Sequence, residues 1–264
     1  MPHYRGGMPA RPRLLAVLLT VVAVLLAGCG GSSAADRNPG DPITDDEADI
    51  LAGLLHRDYT EGGADFTVTA PYAENTVLTL TGEIDFRQGV GSAQAVTTYG
   101  GGQPDDTRTL FFSTADLWYG DVPGLSDALA AAGRPDTTYL RRPISSTQAN
   151  GTASLVDVLV QLVPNLSQRA ADDPRAFLER GYTWQGQRSV NGQLAAAYQT
   201  GTGATILVSA EDQLLLQYTT RLPDQSFDVT ITLGDHGPRT ITLPDEAETA
   251  LVSDYPQIAA DLGF

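Results

Sequence analysis

The sequence predicts an α+β domain in which one large antiparallel sheet dominates and helices are few. Three observations support this prediction. Segments of alternating apolar and polar residues, such as Leu78–Phe86 and Phe227–Leu233, occur on both sides of a mid-chain region with helical spacing. Asn191–Gly192 gives a strong hairpin signal between two further strand segments. A first helix precedes all the strands, and this mixture is typical of the α+β class.

The first 28 residues are predicted to be a secretory signal peptide. Arg5, Arg11 and Arg13 precede an apolar run of 13 residues, Leu14–Leu26, which only Thr20 interrupts. A membrane-spanning helix needs ~20 apolar residues, so this run is too short for a permanent anchor helix. The small residues that follow it suit cleavage by a signal peptidase.

The junction Leu26-Ala27-Gly28-Cys29 resembles the lipobox of bacterial lipoproteins, whose cysteine sulfur receives a diacylglyceryl group before cleavage. This resemblance implies that Cys29 is the lipid anchor and that the mature protein is held at the outer face of the cytoplasmic membrane. A chance cysteine in an ordinary signal peptide is the alternative. Cys29 is the only cysteine, which excludes an intramolecular disulfide. Two or more acyl chains would hold the protein stably.

The mature chain is predicted to be one domain behind a tether. Residues 29–43 contain the acylated N-terminus and a Gly-, Ser- and Asp-bearing stretch without apolar periodicity, which predicts a flexible tether. Residues 44–264 then form a single domain, a length that can bury a sizeable core. Within it, residues 244–264 are predicted to add a C-terminal helical extension that is broken at Pro256.

The charge of the mature chain argues against two kinds of partner. All 16 basic residues are arginine and three of them lie in the signal peptide, so 13 positive charges remain against 32 acidic residues. Strong binding to nucleic acid is disfavoured because it requires basic surface. Attraction to anionic headgroups is disfavoured in the same way, which leaves attachment to the acyl anchor. A solvated acidic surface is the simplest explanation of this charge.

The elements follow in order along the chain. Thr44 and Glu47 fit a capping box, and an apolar stripe at helical spacing then predicts a helix over 44–60. Asp173 as N-cap with Pro174 at the first helical position predicts a helix over 173–180, after one over 152–163. Besides Leu78–Phe86, the predicted strands are 92–99, 107–113, 115–119, 137–142, 182–190, 193–200, 204–210, 213–221 and 226–233.

The order of helix, strands, two helices and strands behind a lipobox resembles the actinobacterial lipoproteins of the LppX/LprG family, relatives in shape of the LolA and LolB lipoprotein carriers. The likeness rests on Gly63–Thr69, Asp116–Tyr119 and Tyr182–Tyr198, which contains Val190-Asn191-Gly192-Gln193. The resemblance implies a half-barrel, a single curved sheet whose concave face is covered by helices. It also implies that the protein holds acylated lipids or glycolipids in a hydrophobic cavity and helps carry them across the cell envelope. The segment after Pro244 departs from the family pattern.

If the resemblance holds, apolar side chains of the strands and of the covering helix should line the cavity. The candidates are Leu78, Leu80, Ile84, Leu110, Phe112, Leu155, Leu159, Leu162, Leu216, Tyr218, Phe227, Val229 and Ile231. The simpler alternative is that these side chains pack against one another at ordinary core density. In that case the predicted protein is a surface lipoprotein with a filled core. It would act by docking to an envelope partner such as a transporter, a sensor or a cell-wall enzyme.

The residues do not predict an enzyme, a metal site or a cofactor site. Only His56 and His236 remain after the signal peptide, and they form no metal-spaced pair. There is no GxSxG elbow for a nucleophilic serine. The glycine runs lack the following helix or lysine of a phosphate-binding loop, since the chain contains no lysine.

Overall fold

Twelve strands form one continuous sheet in the computed structural model, within the described residues 37–145, 154–223 and 225–262. The strands are β1 (Gly63–Ala73), β2 (Thr76–Asp85), β3 (Val90–Tyr99), β4 (Asp106–Phe112), β5 (Asp116–Gly120), β6 (Tyr139–Pro143), β7 (Thr183–Val190), β8 (Gln193–Gln199), β9 (Thr205–Ser209), β10 (Leu215–Arg221), β11 (Asp228–Gly234) and β12 (Thr249–Leu251). Their order is β12-β6-β5-β4-β3-β2-β1-β11-β10-β9-β8-β7. The sheet is open and curved, and the fold is α+β as predicted.

Five α-helices accompany the sheet in the same described part of the chain. They are α1 (Asp45–Glu61), α2 (Leu125–Ala131), α3 (Leu155–Leu162), α4 (Pro174–Glu179) and α5 (Pro256–Asp261). The helices predicted over 44–60, 152–163 and 173–180 correspond to α1, α3 and α4. The sequence pattern missed α2, a short helix that begins after Gly124 without a side-chain cap.

The helix-capping and hairpin motifs predicted from the sequence are present in the structure. Thr44 Oγ1 accepts a hydrogen bond from the Glu47 backbone N–H at 3.3 Å, and the Glu47 carboxylate accepts one from the Thr44 N–H at 2.8 Å. This capping box starts α1, and Gly62 ends it in the left-handed conformation (φ 101°) that favours glycine. Asn191 (φ 50°) and Gly192 (φ 85°) form the tight turn between β7 and β8.

The sheet differs from the predicted purely antiparallel arrangement at one edge. The short strand β12 pairs with β6 in parallel, so the sheet is mixed. This pairing is possible because residues 144–248 separate the two strands, ample length for a crossover connection. In the C-terminal segment, Pro256 begins α5 instead of breaking a helix, since its missing N–H costs nothing at the first helical position.

Part of the predicted tether is held against the sheet. The Gly40 N–H donates to the Trp184 carbonyl at 2.8 Å, and the Trp184 N–H donates to the Asp41 backbone carbonyl at 2.8 Å. The Ile43 N–H donates to the Tyr182 carbonyl at 3.3 Å. These bonds cover the start of the edge strand β7. The prediction of a flexible tether over 29–43 is therefore wrong for residues 40–43. The described residues from Asn38 onward form one compact unit.

Candidate functional site

One face of the sheet, here called the inner face, carries the apolar core. Val68 on β1 pairs with Leu80 on β2 and with Ile231 on β11, so these three side chains point to the same side. Further along the sheet, Leu110 pairs with Tyr119 on β5 and continues this face. One cluster of buried residues includes side chains from α1, α3 and α4 as well as from these strands. The helices therefore lie over the inner face.

The structure brings most of the predicted cavity residues together in this cluster. The buried members are Leu78, Leu80, Ile84, Leu110, Phe112, Leu159, Val229 and Ile231. The partly buried residues packed against them are Leu155, Leu162, Tyr218 and Phe227. These positions are shared by a lipid-binding cavity and by a filled core, and the largest of them are already fully buried by their neighbours.

Leu216 is the exception among the predicted cavity residues. It packs in a separate small cluster with Val190, Ala195, Ala197 and Leu207. The neighbouring Leu215 belongs to the inner cluster, so Leu216 points to the opposite face. The consecutive leucines at 214–216 gave no alternation from which to assign the face, and a register shift between Leu215 and Gln217 adds to the ambiguity.

A buried ion pair joins α3 to the inner face. Arg142 on β6 donates to Asp157 on α3 through Nη1 to Oδ2 at 2.9 Å and through Nη2 to Oδ1 at 2.6 Å. The Asp157 side chain is 2% exposed and the Arg142 side chain 17%. The Ser145 backbone N–H also donates to Asp157 at 3.0 Å. This bidentate pair fixes the first turn of α3 over the sheet.

Tyr119 extends this polar cluster along the inner face. Its hydroxyl accepts a hydrogen bond from Arg142 Nη2 at 2.8 Å, and the guanidinium carbon lies 5.4 Å from the ring centroid. Burial raises the pKa of the Tyr119 phenol, which keeps it neutral in the folded protein. This cluster was not predicted from the sequence. The available signal was Asp157, the only charged residue in the mainly apolar helix α3.

A second buried pair lies between the end of α1 and the loop after β11. Asp58 is 0% exposed, and its Oδ1 lies 3.8 Å from His236 Nε2 and accepts a hydrogen bond from the Leu215 N–H at 3.3 Å. Burial raises the pKa of Asp58 to about 8 and lowers the pKa of His236. Among the described residues, neither Asp58 Oδ2 nor His236 Nε2 has a hydrogen-bond partner. Both shifts favour the uncharged form of the group.

Two other kinds of site are absent from the described ranges. No three His, Cys, Asp or Glu side chains within them are grouped as ligands for a metal ion. No helix among these residues has the length and apolar character needed to cross a membrane. The predicted signal peptide and Cys29 lie outside the described residues.

Comparison with known proteins finds similarity in structure only. No family model matches the chain, and no curated protein matches its sequence. It is similar in structure to LprF from Mycobacterium bovis. That crystal structure has a TM-score of 0.43 and 12% identity, covering 78% of this chain and 98% of LprF. An uncharacterized conserved protein from Thermus thermophilus gives a TM-score of 0.38 and 8% identity, covering 78% of this chain and 99% of that one.

Proposed function

We propose that this protein is a membrane-anchored lipoprotein that binds acylated lipid between the inner face of its sheet and the helices above it. The observation that carries the proposal is the continuous apolar layer between α1, α3 and the curved sheet. An acyl chain can pack in this layer against the apolar side chains of the sheet and the helices, and it needs no charged partner there. The lipobox at Cys29 and the resemblance to the LppX/LprG family support the choice of ligand, and transport across the envelope is the role that this resemblance implies.

The way α3 is attached supports a layer that can open. The hydrogen bonds of Asp157 hold the first turn of α3, where Leu155 is partly buried, while Leu159 lies in the core. At the other end Leu162 is partly buried, whereas Val160 and Val163 are fully buried. A short helix that is joined to the sheet by one polar clamp and by apolar contacts can move away from the sheet as a unit, which would admit an acyl chain.

The inner face of β3 offers little side-chain volume. Ala93 and Ala95 follow one another along this face, opposite Leu110 and Arg108 of β4, while the Phe112 ring already fills the space at Gly91. Small side chains in the middle of a sheet leave room that large neighbours or a ligand must fill. An acyl chain is a suitable occupant because it is apolar and flexible.

Extraction of lipid from the purified protein tests this proposal. Residues 30–264, the mature chain without its acylated cysteine, should be purified without detergent and extracted with organic solvent. We expect mass spectrometry to find acylated lipid in stoichiometric amount. An extract without lipid, from a protein that is folded, would contradict the proposal.

The filled-core docking protein is the second candidate. It is favoured by the complete burial of the largest inner side chains, including Leu80, Leu110, Phe112 and Ile231. A protein of this kind would yield no lipid on extraction and would lose stability with any enlargement of these side chains. The same purified domain therefore discriminates between the two functions.

A further inference from the structure

The face of the sheet opposite the apolar core, here called the outer face, carries a groove that the lipid-binding proposal does not use. The groove has a volume of about 730 Å³, within the ~300–1,000 Å³ typical of ligand sites. It is lined by side chains of β11, β1, β2, β3 and β4, and by Asn191 at the tip of the β7–β8 hairpin. Because strands lie ~4.8 Å apart, five neighbouring strands give it a length of roughly 19 Å.

The floor of this groove is a row of hydroxyl and amide side chains. Strand pairing places one of them opposite the next across six neighbouring strands. In order, the row is Gln217, Thr232, Thr67, Thr81, Gln94 and Thr109, of which all but Gln217 line the groove. Threonine and glutamine side chains both donate and accept hydrogen bonds. The row therefore presents both kinds of group across the direction of the strands.

Several of these groups are available to a ligand. Within the part of the chain that the structure describes, no side-chain hydrogen bond involves Thr67, Thr81, Ser92 or Gln94. Three members of the row do have partners: Gln217 Nε2 donates to Thr232 at 3.1 Å, and Thr109 donates to Asp121. The available groups thus lie in the middle of the row, at β1, β2 and β3.

The charges beside the row are only partly neutralised, because one arginine, Arg239, faces three carboxylates. Asp65 and Glu83 are cross-strand neighbours, and both line the groove. Arg239 Nη2 lies 2.7 Å from Asp65 Oδ1, and Arg239 Nε lies 3.6 Å from Glu83 Oε2. The remaining acidic residue, Asp235, disfavours an anionic ligand, while the ion pairs reduce the attraction for a cationic one.

An aromatic ring stands at one end of the groove. Phe111 lines it on β4 and contacts Tyr139 edge to face, with ring centroids 5.8 Å apart at 85°. That contact holds the Phe111 ring in place. The apolar C–H face of a sugar ring can pack on such a side chain, while its hydroxyl groups reach the neighbouring polar row.

From these observations we infer that the outer groove is a binding site for a neutral oligosaccharide or polysaccharide. A neutral polyol matches the hydroxyl and amide floor and the aromatic end, and it needs several donors and acceptors in a row. The carboxylates left over beside Arg239 exclude an anionic polysaccharide. The chain of sugars lies across the strands from β11 to β4. This site is separate from the apolar layer, since the two occupy opposite faces of the sheet.

Affinity electrophoresis tests the inference on residues 30–264 in native gels containing dextran, mannan, arabinogalactan or hydroxyethylcellulose. We expect at least one of these neutral polysaccharides to slow the protein in a concentration-dependent way. Thr81→Val removes one hydroxyl from an exposed position and should weaken this binding about fivefold, the effect of one lost hydrogen bond.

Thr79→Val is the matched control. Thr79 lies on the same strand and the same face, two residues from Thr81, but it does not line the groove. Its binding should equal that of the unmodified protein, and both variants should keep the original melting temperature. The inference is overturned if no polysaccharide slows the protein, if Thr79→Val weakens binding as much as Thr81→Val, or if a basic peptide binds in place of every polysaccharide.

Discussion

Arg142 and Asp157 form a bidentate ion pair that joins β6 to helix α3, with Nη–Oδ distances of 2.6 and 2.9 Å. Both side chains lie on the apolar side of the sheet, where water competes little for their hydrogen bonds. A pair in this position contributes more to the placement of α3 than to net stability, because its desolvation opposes its attraction.

Removal of one member of this pair should therefore be costly. Asp157→Ala leaves the Arg142 guanidinium half-buried without its carboxylate and should lower the free energy of unfolding by ~3–5 kcal/mol. Urea denaturation followed by tryptophan fluorescence measures this change. The double variant Arg142→Met/Asp157→Leu replaces both charges by apolar side chains and should regain most of the loss. If the double variant is as unstable as Asp157→Ala, the pair does not act as a unit.

The same double variant should change lipid exchange if α3 is the lid. Arg142→Met/Asp157→Leu should exchange a fluorescent fatty acid faster than the unmodified protein, because the polar clamp on the first turn of α3 is gone. Stopped-flow fluorescence gives the rate. Thr79→Val, on the outer face, is the control and should exchange at the original rate. Equal rates in all three proteins would argue against α3 as the moving element.

Asp58 should make stability depend on pH. Its pKa rises from an ordinary value near 3.8 to about 8 on folding, so the folded protein keeps the proton while the unfolded chain loses it. Stability is then greatest below the unfolded pKa and declines as pH rises toward 8, by up to ~1.4 kcal/mol per pH unit. Asp58→Asn removes this decline and should gain stability relative to the unmodified protein as pH rises from 5 to 8.

The lowered pKa of His236 acts in the other direction. A histidine held neutral by burial costs stability as pH falls below its ordinary pKa of 6.5. The unmodified protein and the Asp58→Asn variant both contain His236. The difference between their free energies of unfolding therefore reports mainly on Asp58. Urea unfolding at several pH values measures it. A constant difference from pH 5 to pH 8 would show that Asp58 is ionised in the folded state.

Enlarging an inner side chain should separate a lipid carrier from a filled core. Leu80→Trp or Ile231→Trp should displace co-purifying lipid while the melting temperature is retained, if a ligand occupies the space. In a filled core each variant should instead lose ~1–3 kcal/mol through overpacking. Leu216→Trp is the matched control: it enlarges a buried leucine on the other face and should leave the lipid content unchanged.

The anchor prediction rests on Cys29, the only thiol in the chain. Cys29→Ala should abolish lipid modification and leave unprocessed precursor. Fractionation of cells with immunodetection of the chain, together with metabolic labelling by an alkyne fatty acid, measures both effects. A variant that is processed normally and still sediments with membranes would contradict the lipoprotein interpretation.

Elements with local signals could be predicted from the sequence. Thr44 and Glu47 predicted the start of α1, and Asn191–Gly192 predicted the β7–β8 turn, because capping and tight turns depend on a few neighbouring residues. The alternation along β2 and β11 predicted which of their residues face the core. The leucine run at 214–216 carried no such alternation, and the prediction for Leu216 was wrong.

Tertiary structure alone decided which distant residues meet. Arg142 and Asp157 are 15 positions apart, and Asp58 and His236 much further, so no local pattern could pair them. The parallel β12–β6 edge and the row of polar side chains across the outer face depend on strand order, since pairing between strands is set by contacts across the whole sheet. Local residues specify turns and helix ends, whereas the sites are built from residues that only the folded chain brings together.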